Sequence, residues 1–570
     1  MTIEKPRQAA DEATRLRAVI NISTGVIVAS TLCVGIVQYM MPAGFTSLFK
    51  ADHIGTRLFK DALGLGHLAT ISTPAFIAWF RAFTLCAYAA YAALLFAASR
   101  ATAVDLRRGV LLIGVVSVAV AIFYPPSMSS DLFSYIAYAE MPARYHLNPY
   151  LTSPQVLVAA GDPIVAYLPH IDPRSPASGL KWDIPTVYGP VWTSASVLIS
   201  WLVGENIFLT AVLLKLLEAA ALIVAAVSVY RIATVAAPGR AHVAFLAVGL
   251  NPLLLAEGPG NGHNDLLMMA FILLAGAELS RGRPTRAGLS LGIAASIKFI
   301  PIIVLPWMLI EYWPNFGRGP GMRGSTNEFG DSGNSSPSRF GRGGEERAGV
   351  GSKFGAVMRS RLLGIARFLA AFTAPISICF IPYWAGMSTL RAIFLRGTIK
   401  PAAGHKLSEA IAIPAQPPNL SSILHSYGFL IVGYLLLTAF VFMTARRQNP
   451  GSRTGTTTVA WSIAWTLEAG AFAYFVLKLM FPWYVIWTWP ASAVSWNRLH
   501  FNVLLFFSTF GLMTTWLYTL SSAQFASTLV IYYILSIVVG MVGIHMISYV
   551  NKINKKTYTV ELCIFSKSAV

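Results

Sequence analysis

Five short stretches of this chain hold side chains able to do chemistry. Ser129-Ser130-Asp131-Leu132-Phe133-Ser134-Tyr135 places a carboxylate directly after a long apolar run. If 131–141 is helical, Asp131, Tyr135 and Tyr138 stand at i, i+4 and i+7, on one face. One carboxylate and two phenols on a cleft suit proton abstraction from a polar substrate. The competing account is that Ser130 or Asp131 caps a helix. Next come His146-Leu147-Asn148-Pro149-Tyr150 and Val187-Tyr188-Gly189-Pro190-Val191-Trp192, which turn chemistry and an interfacial aromatic belt also explain. A third group, Gly258-Pro259-Gly260-Asn261-Gly262-His263-Asn264-Asp265, is a compact turn with an imidazole and a carboxylate at a helix start. An N-cap by Asn264 or Asp265 is its plainer reading, and His263 with Asp265 is too sparse for a metal site. Lys298, in Ser296-Ile297-Lys298-Phe299-Ile300-Pro301, is a charge inside an apolar stretch. At membrane depth it costs roughly 2.5–3.5 kcal/mol and calls for a partner or a role, unless it snorkels to the surface. The last stretch, Phe481-Pro482-Trp483-Tyr484-Val485-Ile486-Trp487, is an aromatic boundary.

The elements that must position these residues are membrane helices. Of 570 residues, 55% are hydrophobic and 12% charged, half the charge of an ordinary soluble protein. Mean hydropathy is +0.60. Runs such as Val19–Met41 and Ile531–Val550 approach the ~20 residues that cross a hydrocarbon core. The net charge of +19 is better explained by Lys and Arg gathered in cytoplasmic loops than by nucleic-acid binding. Cys33, Cys86, Cys379 and Cys563 show no metal or disulfide spacing. The first apolar run is too long for a signal peptide and reads as a retained anchor.

Joining basic clusters on one side predicts an all-α, polytopic bundle of about 13–14 spans with both termini cytoplasmic. Spans are expected near 19–41, 76–98, 110–128, 206–230, 242–257, 265–280, 362–384, 424–445, 458–479, 482–496, 501–519 and 528–549, with 287–313 as a hairpin whose outer apex is near Lys298. The run 187–203 is too short and polar to cross, and reads as a helix lying on or dipping into the outer leaflet. In this topology all five stretches reach the outer face, and 129–205 is the longest polar loop there. Residues 1–18 and 551–570 become cytoplasmic tails, and 314–360, rich in Gly, Ser and Arg, a disordered cytoplasmic linker. Arg391, Arg396, Lys400 and Lys406 fall outside against the positive-inside rule, so either the topology differs there or those cations have a task. Lys215 and Glu218, three apart within one span, are expected to pair on a helix face.

The ordered set Ser129–Tyr135, Asn148-Pro149-Tyr150, Tyr188-Gly189-Pro190-Val191-Trp192, Asn251-Pro252 with Gly262-His263-Asn264-Asp265, and Pro482-Trp483-Tyr484 resembles the bacterial polyprenol-phosphate-mannose-dependent α-1,6-mannosyltransferases. These belong to the GT-C glycosyltransferases, and the likeness runs from about 110 to 500. The resemblance implies a GT-C type bundle within 19–550, a catalytic loop at 129–205 outside the cytoplasm, and inverting transfer. It implies a polyprenyl-phosphate sugar donor, most simply of mannose, and an envelope glycan or glycolipid acceptor, with membrane lipid and no nucleic acid as partners. By position Asp131 is the expected catalytic carboxylate. Tyr135, Asn148, Tyr150, Tyr188, His263, Asn264, Asp265, Lys298, Trp483 and Tyr484 are the expected substrate contacts, Lys298 facing the leaving phosphate. No cofactor is expected, no metal ligands are assigned and metal dependence is left open, and no nucleotide-binding glycine motif occurs. The rival reading is a transporter or flippase of a lipid-linked or polar solute, which would scatter polar groups through the midplane.

Overall fold

The computed structural model describes residues 4–42, 53–101, 105–127, 129–167, 185–236, 238–309, 345–389 and 487. Helices α1 (Glu4–Tyr39), α2 (His53–Ala62), α3 (Thr73–Arg100) and α4 (Leu106–Phe123) lead to α5 (Asp131–Tyr145) and the short α6 (Gln155–Ala160). Then follow α7 (Pro190–Val203), α8 (Ile207–Ala236), α9 (Ala241–Gly249), α10 (Pro252–Leu255) and α11 (Asp265–Leu279). Helices α12 (Pro284–Ala295), α13 (Leu305–Leu309) and α14 (Glu345–Phe380) complete the series, and no β-strand occurs among the described residues.

Among the described residues, five helices are long and apolar enough to cross a membrane: Asp11–Tyr39, Thr73–Arg100, Leu106–Phe123, Ile207–Val235 and Met358–Tyr383. A sixth is a bent pair, Pro238–Gly249 with Pro252–Gly260, turning by 42°. The chain is therefore an all-α, multi-pass protein. The expected spans at 424–445, 458–479, 482–496, 501–519 and 528–549, and the cations Arg391, Arg396, Lys400 and Lys406, lie outside the described residues.

Several details differ from the sequence expectations. The span expected near 242–257 is broken. Pro252 cannot donate to the helix before it, and Asn251 caps the new start by accepting from Leu253 and Leu254 N–H. The third span ends at Phe123, short of the expected 128, and α5 starts at Asp131. Helix α14 begins at Glu345, so 345–360, read from sequence as linker, has helical backbone. Lys215 and Glu218 do not pair. The Lys215 ammonium donates to Tyr124 C=O at 2.5 Å and lies over the Phe59 ring. Glu218 accepts from Leu267 N–H at 2.9 Å, capping the start of α11 from a neighbouring helix.

The packing has physical causes that can be named. Helix α8 lies against α4, α9 and α11, and its apolar side chains close the core. Gly288 and Gly292, one turn apart on α12, let α14 approach so closely that an added Cβ would sit 2.1 Å from the Phe368 and Phe372 carbonyls. Helix α7 is 14 residues long, too short to span. It packs on α5 and bares Leu198, Trp201 and Leu202 on its other side.

Candidate active site

Two helix starts meet at the site. The start of α5 brings Asp131 and Tyr135, and the turn before α11 brings His263, Asn264 and Asp265. Ser130 makes no side-chain cap; instead Ser129 Oγ accepts from Asp131 N–H at 3.1 Å. Asp131 Oδ2 lies 3.6 Å from His263 Nδ1. One turn on, the Tyr135 hydroxyl donates to Asn264 Oδ1 at 3.3 Å, and burial beside Tyr188 and the site carboxylates pushes that phenol well above its ordinary pKa. Tyr138 continues the same face against Tyr188. The i, i+4, i+7 alignment holds.

The loop before α11 is shaped by a π-helical turn, Ala256–Gly260, a wide turn often found at functional positions. It turns Glu257 inward, where Oε2 accepts from Asn261 Nδ2 at 3.0 Å and stands 3.5 Å from His263 Nε2. The imidazole therefore lies between two carboxylates. Asn264 makes no side-chain cap for α11. Asp265 Oδ1 accepts from the Lys298 ammonium at 2.6 Å and from the Trp487 indole N–H. Lys298 also lies 5.7 Å from the Trp487 ring centroid.

The Tyr188–Trp192 segment threads between these groups. Gly189 N–H donates to Ile297 C=O at 3.0 Å and Val191 N–H to Ser296 C=O at 2.9 Å. This ties the segment to the residues just before Lys298. Only glycine fits there, since a Cβ at 189 would lie 2.2 Å from the Ser296 carbonyl oxygen. The Tyr188 ring meets Tyr135 edge to face at 4.8 Å. Asn148 and Tyr150 stand further back. Asn148 Nδ2 donates to Tyr383 C=O at 2.8 Å, and the Tyr150 hydroxyl donates to Tyr188 C=O at 2.9 Å. Both hold the loop against the end of α14.

Of the four clustered carboxylates, Asp131 has a 12% exposed side chain, while Glu257 has 3% and Asp265 none; Glu218 is fully buried too. Lys298 is 17% exposed at its side chain. Asp131 and Lys298 are thus the charged groups of the cluster that reach the surface. His263, Asn264 and Asp265 are buried and act through neighbours. Trp483 and Tyr484 lie outside the described residues, though Trp487 of the same stretch reaches the site. Glu257 escaped the sequence reading, its sole signal being a carboxylate inside an apolar run. No three His, Cys, Asp or Glu side chains gather as metal ligands among the described residues.

Residues 27–313, which carry Asp131, Tyr135, Tyr188, Glu257, His263, Asn264, Asp265 and Lys298, match the family described as alpha-(1->6)-mannopyranosyltransferase, N-terminal domain. The chain belongs to this family. It is 29% identical over 200 residues to alpha-(1->6)-mannopyranosyltransferase A of Corynebacterium glutamicum, covering 34% of this chain and 38% of that protein. It is 27% identical over 185 residues to the protein of the same name from Mycobacterium tuberculosis, covering 32% and 33%. The chain thus spans about a third of the length of these relatives. No solved structure matches the chain.

Proposed function

We propose that the chain transfers a mannosyl unit from a polyprenyl-phosphate donor to an envelope glycan or glycolipid on the non-cytoplasmic face, with inversion at the anomeric carbon. The observation that carries this is that the charged groups of the cluster with exposed side-chain surface are a carboxylate, Asp131, which faces His263, and an ammonium, Lys298, which is held by Asp265. Membership of a mannopyranosyltransferase family supports the sugar.

The acceptor hydroxyl attacks the anomeric carbon from the face opposite the phosphate. Asp131 takes the hydroxyl proton as general base, a step worth about 10²–10⁴-fold. The phosphate leaves with the electron pair of the broken C–O bond and is already a stable anion. It needs positive charge nearby rather than a proton. Lys298 supplies it, aimed by Asp265 Oδ1, with ammonium protons left over for phosphate oxygens. A β-linked donor then gives an α-linked product.

The transporter reading drew on the many spans and on the intramembrane Lys298, and it predicts polar groups spread through the midplane, for which Lys215 and Glu218 were the candidates. Lys215 and Glu218 now have structural roles, one on Tyr124 C=O and one on the start of α11. The deciding test uses purified protein in lipid, radiolabelled polyprenyl-phosphate-mannose and an α-mannoside acceptor. Wild type transfers label and Asp131→Asn does not, with both equally folded. Normal turnover by D131N removes Asp131 as base; no transfer by wild type with any lipid-linked sugar removes the reaction class.

A further inference from the structure

His263 is fully buried and has no route to a substrate, yet it lies behind the proposed base with a second carboxylate on its far side. Apart from His263, Glu257 is met by Asn261 Nδ2, which donates to Oε2 at 3.0 Å, and no Lys or Arg pairs with it among the described residues. Its other flank faces a cavity lined by Thr31, Thr84, Tyr88 and Tyr124, and no lining residue is a cation. The nearest buried ammonium, Lys215, is turned onto Tyr124 C=O. The sequence Asp131–His263–Glu257 is therefore an imidazole with one ring nitrogen toward each carboxylate.

We propose that these three residues form a proton relay, in which Asp131 takes the acceptor proton, His263 stores it, and Glu257 holds the imidazole in the receiving tautomer. The inference rests on Asp131 being the base. Before reaction His263 is neutral, with Nε2–H directed at Glu257 Oε2 and the Nδ1 lone pair toward Asp131. The acceptor O–H bond breaks as its oxygen bonds the anomeric carbon, and the proton passes to Asp131 Oδ and then to Nδ1. Asp131 is ionised again, and an imidazolium lies between two carboxylates. The same proton returns through Asp131 to water once product leaves. The gaps of 3.6 and 3.5 Å are of the length that tightens when a substrate completes a site. Glu257 is a positioning residue here, since it touches no substrate.

Other titratable groups face this unit. Tyr135 comes from α5, Tyr88 from α3, Tyr124 from the end of α4, Lys215 and Glu218 from α8, and Asp265 from α11. The test is the pH dependence of kcat for wild type, Glu257→Gln and His263→Gln, with D131N as control and thermal unfolding to verify assembly. In wild type the acidic limb marks protonation of His263. Removing the Glu257 charge makes the imidazolium a stronger acid, so in E257Q the limb moves to lower pH. The plateau falls about ten- to a hundredfold, less than the loss of the base itself, while KM for the donor is unchanged. In H263Q the limb drops to the carboxylate range, which decides the matter should E257Q fail to assemble.

An E257Q limb that stays in place, or moves to higher pH because a standing imidazolium had kept Asp131 ionised, overturns the relay. So does an H263Q limb at the wild-type position. An active D131N strikes the base assignment instead, whereas an inactive D131N with unmoved limbs strikes the relay alone.

Discussion

Gly189 shows how much a single atom decides at this site. Its missing Cβ would lie 2.2 Å from the Ser296 backbone oxygen, which cannot swing aside as a side chain would. Gly189→Ala therefore breaks the contacts to Ser296 and Ile297 and displaces Lys298. The expected cost is about 1–3 kcal/mol of stability, read by thermal unfolding, with a larger proportional loss of transfer. Lys298 itself is half of a pair. Removing it as Lys298→Met leaves the Asp265 carboxylate buried without its cation, at roughly 3–5 kcal/mol. The double variant K298M/D265N should recover a large part of that loss, because no unbalanced charge is left; additive losses in a double-mutant cycle would show the two do not depend on each other. Asp131 and Asp265 stood out in the sequence as carboxylates at the edges of apolar runs and Lys298 as a cation inside one, and the structure brings Asp265 and Lys298 into one ion pair. Glu257 was not legible, because its meaning comes from a π-helical turn that brings its carboxylate to an imidazole six residues on, and no periodicity announces that turn.

Helices α5 and α7 are joined by a buried carboxylate rather than by apolar packing alone. Glu140 accepts from Ser200 Oγ at 3.0 Å and is paired with Arg144, which also reaches Glu205 at 3.2 Å. Burial pushes the Glu140 carboxyl up to about 7, against the pull of Arg144 and Ser200. Between about pH 4.5 and 7 the folded protein holds a proton there that the unfolded chain has lost. Its contribution to stability is thus greatest below that window and declines as pH rises through it. Glu140→Gln should flatten that part of the stability curve relative to wild type, measured by unfolding in detergent across the window; parallel curves would mean that Glu140 titrates normally. Helix α11 gives a second case. Glu218→Gln keeps an acceptor for Leu267 N–H and should be nearly neutral, whereas Glu218→Leu loses the cap and about 1–2 kcal/mol. Sequence marked Glu218 as odd but paired it with Lys215, since spacing within a helix is visible and a partner on another helix is not. For the same reason the Gly288-to-Gly292 spacing was unread until α14 was seen against it.

For the molecule as a whole, the question is how a site made from α5, α7 and the start of α11 would be held at the lipid boundary that the proposed reaction requires. Helix α7 fixes the depth. Its 14 residues cannot cross, and one side is anchored on α5 by the Ser200–Glu140 bond. Its other side bares Trp201 and Leu202, each 67% exposed. An uncovered apolar strip on a polar-ended half-helix is stable only against lipid, where it removes that surface from water. Gly189, at the start of the same helix, holds the turn before Lys298. The depth of α7 therefore sets the height of the ammonium relative to the headgroups, where a lipid phosphate would sit. A spin label at Leu202→Cys, in an otherwise cysteine-free protein reconstituted in bilayers, should be accessible to oxygen and shielded from aqueous nickel chelates, at a depth within the acyl region. A label with aqueous exposure would detach the site from the membrane surface, and with it the case for a donor delivered from the bilayer. A label at bilayer depth places Lys298 at the end of a lipid-embedded lever, so that polar substitutions at Trp201 and Leu202 should raise KM for the donor and leave kcat near its wild-type value.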